Sequence, residues 1–232
     1  MELAPVVGVV GGHGGVGASL QTAVLALGVP TGSVLIDLDA VAGGIDVLLG
    51  IEARPGVRWS GVRLAGGELD PALLGDGLPC WGSVRVLAAD TLPGPAQVAQ
   101  LVGVARRLGP VVLDLGRWPS PSRAAAAARC DLVVLLCRAD VAAVSSARVA
   151  LNLLHESPDE PAPASIGVIV RRDRADPPAA RVAELIGAPL LASAPGADRW
   201  DRSQPLDPRR PPKDWLRLGG AIWSAVLEGT RD

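Results

Sequence analysis

The residues of this chain best suited to chemistry stand near its start. Positions 11–19 read GGHGGVGAS and follow the apolar run VVGVV. Glycine has no Cβ, so the backbone turns tightly and aims successive N–H groups at one point. Where such a turn opens a helix, those N–H groups and the helix dipole favour an anion. The expected ligand is therefore a phosphate. Carboxylates end two other apolar runs: Asp37 and Asp39 in SVLIDLD, and Asp114 in PVVLDL. With the Ser19 hydroxyl they form a hard oxygen set that suits Mg2+. Cationic charge is what the chain lacks, because Lys213 is its single lysine.

Two phosphate-binding patterns compete for the glycines. Gly12, Gly14 and Gly17 satisfy G-x-G-x-x-G, and Asp37 falls 20 residues after Gly17, where a ribose-binding acid of a dinucleotide site would sit. Against an NAD(P) enzyme, there is no tyrosine and no second lysine to form a hydride-transfer pair. The other pattern is a P-loop that keeps its glycines and Ser19 but carries Ala18 where a lysine is usual.

The elements that must position these groups alternate. Apolar runs predict strands over 5–10, 33–38, 84–89, 110–115, 131–137, 166–171 and 188–193. Most are apolar on both faces, as parallel strands covered by helices are. Helical spacing occupies 18–27, 97–108, 120–128, 141–155, 177–186 and 215–228. The alternation predicts an α/β fold: one domain over 1–232 with a doubly wound, mostly parallel sheet and helices on both faces. Two stretches interrupt it. Residues 49–82 form a Gly-rich surface excursion with Trp59, Trp81 and a short helix near 71–74, and 196–214 form a Pro/Arg-rich loop. The tryptophans either anchor a partner or close a small satellite core.

Composition sets outer limits. A 49% hydrophobic chain of 232 residues with six Trp and no Tyr or Phe builds its core from Val, Leu, Ile and Ala. A net charge of −2 gives no pull toward nucleic acid. Three cysteines without metal spacing read as reduced thiols of a cytoplasmic protein, and no leader or spanning helix is expected. The last helix lacks a Lys/Arg face, which favours core packing over peripheral membrane association. Asp46 reads as an N-cap before VLLG, and His155 as a solvated helix end.

The segment HGGVGAS resembles the loop of the MinD/ParA family of P-loop ATPases, K-G-G-x-G-K-[ST], with His13 and Ala18 at its two lysine positions. VLIDLDAVAGGIDVLLG resembles that family's switch I stretch, VVLDLGRWPS its Walker B and switch II, and VIVRRD its adenine-side strand end. The likeness spans about residues 5–228. A narrower likeness joins the glycines with Ala-Ser, GGIDVLLG and RPGVRWSGVRLAGGELDPALLGDGLP to the actinobacterial CpaE-like, TadZ-like proteins, a group that includes septum site-determining proteins.

That resemblance implies nucleotide contacts from Gly12, His13, Gly14, Gly15, Val16, Gly17, Ala18, Ser19 and Arg172. It implies Mg2+ at Ser19, Asp37 and Asp114, with Asp39 as the catalytic carboxylate. Each missing lysine removes a charge-assisted hydrogen bond of about 1.5–3 kcal/mol, and the pair about two to four decades of ATP affinity. Catalysis suffers more, since phosphoryl transfer depends on placed positive charge. The expectation is a pseudo-ATPase that binds Mg-ATP weakly or not at all. It would form a homodimer and act on secretion or division apparatus at the cell pole or septum, without a receiver-like N-terminal domain. The alternative is an active ATPase in which Arg117 or Arg138 substitutes.

Overall fold

The computed structural model describes residues 3–41, 43–63, 74–156, 159–196, 201 and 203–229. The helix expected near 71–74 lies outside them, Leu74 excepted.

The strands are β1 (Val6–Gly11), β2 (Ser33–Asp37), β3 (Cys80–Trp81), β4 (Val84–Leu87), β5 (Val111–Asp114), β6 (Leu132–Arg138), β7 (Ile166–Arg172) and β8 (Leu190–Pro195). They form one sheet in the order β3-β4-β2-β5-β1-β6-β7-β8. All pairings are parallel except the β3–β4 hairpin, which turns at Gly82 with φ of 60°. The helices are α1 (Ala18–Leu27), α2 (Ile45–Leu49), α3 (Pro95–Ala105), α4 (Pro121–Ala127), α5 (Val141–His155), α6 (Ala179–Ile186) and α7 (Lys213–Gly229).

Local chemistry sets the boundaries. Helix α3 starts two residues earlier than its apolar spacing suggests. Pro95 sits in its first turn, and Gln97 Oε1 accepts the Gly94 N–H at 3.0 Å. Ser120 caps α4 by accepting the Arg123 N–H at 3.1 Å. Helix α2 forms at VLLG but starts earlier than its expected cap. Its N-cap is Gly44, not Asp46, because that site has φ of 76°, which glycine adopts without strain. Asp46 lies in the first turn and pairs with Arg58 at 3.2 Å.

Alternation along the strands splits the core in two. Val6 and Val10 face one side of the sheet with residues of α3, α4, α5 and α6, while Val7 and Val9 face the other with α1 and α7. Both excursion tryptophans belong to this core. Trp59 donates to the Asp37 carbonyl at 2.6 Å, and Trp81 to the Leu206 carbonyl at 3.0 Å. In α7, Trp215, Leu218, Ile222 and Val226 are buried against α1 and the sheet.

Parallel strands bring their C-terminal ends to one edge. In register, Asp37 stands beside Asp114 and Asp114 beside Val9, just before the glycine loop. That edge is where open α/β sheets bind ligands.

Candidate functional site

The loop leaves β1 at Gly12, whose N–H donates to the Leu136 carbonyl at 2.8 Å. A Cβ on Gly12 would meet Ala147 Cβ at 2.9 Å, so only glycine lets the loop lie this close to α5. Gly17 holds φ of 93° and opens α1, accepting the Gln21 N–H at 2.9 Å. The remaining N–H groups at this end of α1 have no helical partner, which is the arrangement an anion fills.

A cavity of about 590 Å3 lies over the loop. His13, Gly14, Gly15, Val16, Gly17, Ala18 and Ser19 all line it, as do Asp39 and Asp114. The hollow is therefore open, and eight of the nucleotide-side expectations converge on it or beside it; Gly12 sits at its root. His13 Nδ1 donates to the Gly14 carbonyl at 2.9 Å. Its Nε2 is buried without a partner among the described residues, which leaves an unmet ring nitrogen at the cavity wall.

Two expected site residues stand elsewhere. Asp37 is 1% exposed and does not line the cavity. Its Oδ1 accepts the Asp39 N–H at 2.9 Å, and its Oδ2 accepts those of Ile45 at 3.1 Å and Ala89 at 3.3 Å. It is a clamp for the loop after β2, with both oxygens turned into the backbone. Arg172 also lies outside the cavity, its guanidinium donating to the Asp176 and Pro177 carbonyls at 2.9 Å each. Those bonds close the turn after β7.

The electrostatics of the cavity are acidic. Burial first, then the neighbouring Asp114 charge, raise Asp37 to about 7 against the pull of its three N–H donors. Burial and the nearby Asp39 raise Asp114 to about 6, while the Ser19 hydroxyl and the Gly116 N–H hold it lower. Buried carboxylates that retain their protons this far mark a place short of positive charge. Ser19, Asp39 and Asp114 all line the cavity, with Ser19 hydrogen-bonded to Asp114 and Asp39 near enough to act on its charge, and these oxygen donors suit Mg2+ rather than a soft metal.

Sequence reasoning named Arg117 and Arg138 only as alternatives, and the structure separates them. Arg117 lines the cavity, and a Cβ on Gly14 would meet its Nη1 at 2.8 Å. Arg138 does not line it and lies 3.7 Å from Asp140. Arg171 has no role in the sequence reading. It is buried beneath the loop, donates to the Val16 carbonyl at 2.6 Å and stacks 4.8 Å from the Trp215 ring. Its neighbour Gly17 can carry no Cβ, which would meet Trp215 at 3.0 Å and Arg171 at 3.2 Å.

The dinucleotide reading fails on this geometry. Strand β5 lies between β1 and β2, whereas a dinucleotide fold pairs the first two strands directly. Asp37 is sealed by backbone donors and presents no free oxygen to a ribose.

A central β1 flanked by β5, with a glycine loop opening α1 and a carboxylate ending β5, defines a P-loop NTPase fold. Within that class the fold is the MinD/ParA one. The chain is similar to a ParA family ATPase from Chlorobium tepidum, with a TM-score of 0.75, 18% identity and coverage of 96% of this chain and 98% of that one. It is similar to the MinD cell division protein of Aquifex aeolicus, with a TM-score of 0.73, 20% identity and coverage of 95% and 98%. The ATP complex of a Cyanothece McdA variant gives a TM-score of 0.73 at 16% identity over 98% of both chains. In sequence, the chain is 38% identical over 196 residues to the uncharacterized protein Rv3660c of Mycobacterium tuberculosis. That match covers 81% of this chain, which spans about half, 53%, of the relative's length. No family model matches.

Proposed function

We propose that this chain is a MinD/ParA-type protein with a degenerate P-loop, which binds Mg-ATP weakly and turns it over slowly or not at all. The observation that carries the reading is an open cavity over a loop that keeps its glycines and Ser19 but has His13 and Ala18 at the lysine positions. In this reading the loop N–H groups hold the phosphates, and Ser19 with Asp114 and Asp39 hold Mg2+ on the acidic wall. The cation would neutralise Asp114, whose carboxyl burial otherwise holds above the usual carboxylate range. Asp37 acts behind them by fixing the loop that carries Asp39.

Its role is that of a positional or scaffolding regulator, and we assign it to Tad-type pilus secretion or septum placement on the sequence likeness to CpaE-like, TadZ-like proteins. The fold's neighbours include cell division and plasmid partition proteins, which supports a positioning role. A homodimer closing over the loop fits the exposed apolar rim. Trp118 is 60% and Val41 69% exposed, and both line the cavity mouth. A second reading, an active ATPase, is favoured by one observation: Arg117 reaches the loop beside Gly14.

The test is a graft. Ala18→Lys should tighten Mg-ATP at least tenfold by calorimetry, as a restored charge-assisted bond does. Unchanged affinity would mean that the cavity does not receive phosphate. Turnover by the unaltered chain that disappears in Arg117→Ala would favour the active reading.

A further inference from the structure

A second cavity, of about 420 Å3, opens on the helical layer formed by α3, α4 and α5. It shares no lining residue with the cavity over the glycine loop. Its walls are apolar, drawn from Ala124 and Ala127 of α4, Leu153 and Leu154 of α5, and the prolines at 95, 119, 121 and 161. Among the described lining residues the one cation is Arg123.

Arg123 is only 4% exposed. Its Nη1 donates to the Arg117 carbonyl at 2.9 Å. Its Nη2 is buried and has no hydrogen-bond partner among the described residues. No salt bridge involving it is present there either, and burial alone pushes its pKa down. A buried guanidinium edge without a partner is costly. In native proteins such groups are nearly always satisfied, by water or by a ligand.

We propose that this cavity is a binding site for a monocarboxylate on an apolar body, with Arg123 Nη2 as its anchor. The charge pattern selects this class. One guanidinium edge, buried in the wall, is without a partner among the described residues, which matches a single negative charge. Glu156, Asp159 and Glu160 also line the cavity, Glu160 being paired with Arg129 at 3.3 Å, so every negative charge on a ligand meets repulsion and a dianionic phosphate meets about twice that of a monocarboxylate. The alanine, leucine and proline walls take the apolar body. The carboxylate can come from a free small acid or from the C-terminus of a polypeptide.

The probes are octanoate, 1-octanol, and a short peptide ending in leucine as its free acid or its amide, each titrated into the whole chain by calorimetry. Saturable binding of octanoate at one site, with octanol at least tenfold weaker, is expected. The free-acid peptide binding where its amide does not would point to a polypeptide source and equally support the site. Arg123→Met should weaken the carboxylate at least tenfold, as loss of a charge-assisted bond does. Because Arg123 also braces the 117–120 segment, Leu153→Glu is the second variant: Leu153 is 43% exposed, so the fold should tolerate the change while the added charge repels the ligand. Equal binding of octanoate and octanol would overturn the proposal. So would undiminished binding by both variants, or no saturable binding of either acid with only an ordered water on Nη2 in a crystal soaked with octanoate.

Discussion

At the scale of single residues, two buried carboxylates at and behind the cavity are held above their ordinary range. Asp37 and Asp114 are held near 7 and 6, both above the ordinary value of 3.8. The sign follows from proton counting. Between about pH 4 and 7 the unfolded chain has released these protons while the fold retains them, so stability falls as pH rises through that window. Below pH 4 both states are protonated, and the penalty vanishes. Asp114→Asn should therefore raise the melting temperature in metal-free buffer at pH 8 and change it little at pH 4.5. Asparagine keeps an acceptor for the Gly116 N–H and removes the charge that also repels Asp37. A variant that melts lower at pH 8 would show that Asp114 is instead stabilised as an anion.

At the scale of elements, the glycine loop is held from below by parts distant in sequence. Arg171 at the end of β7 donates to Val16, and Trp215 at the start of α7 covers Arg171 and touches the Gly17 position. Trp215→Ala should cost roughly 3–5 kcal/mol by the usual scale for a buried aromatic truncation, read as a lowered denaturant midpoint. It should also speed amide exchange at 14–19. Unchanged exchange there, with stability lost, would limit Trp215 to packing α7. How far sequence carried is clear from these same elements. Strand periodicity and glycine spacing made β1, the loop and α1 legible, since local chemistry decides them. The placement of Asp37 was not legible, because its three donors come from positions 39, 45 and 89 and only the folded chain brings them together. Arg171 and Arg172 look equivalent in VIVRRD, yet strand alternation turns one under the loop and the other into its own turn. The excursion tryptophans are likewise ambiguous in sequence, because the partner of Trp59, the Asp37 carbonyl, lies 22 residues away in the chain.

At the scale of the whole molecule, the sheet edge gathers the loop, Asp39, Asp114 and Arg117 into one open hollow with an apolar rim. Among the described residues no helix is long and apolar enough to cross a membrane. The rim is suited to a second copy of the chain, since aromatic and Arg side chains are favoured at interface centres. Trp118, with Arg117 stacked 5.0 Å over it, is the natural anchor. If the chain forms the homodimer proposed above, Trp118→Glu should shift it to monomer by light scattering at unchanged melting temperature; a dimer that persists would place the interface elsewhere.

In the proposed reading the phosphate cradle persists while its charge clamp is gone. Mg-ATP titrated into the unaltered chain, with phosphate release followed in the same samples, tests it most directly. Saturable one-site binding weakened by about two to four decades relative to a loop with both lysines is expected, with turnover at or near background. Low-micromolar binding with steady turnover would contradict it.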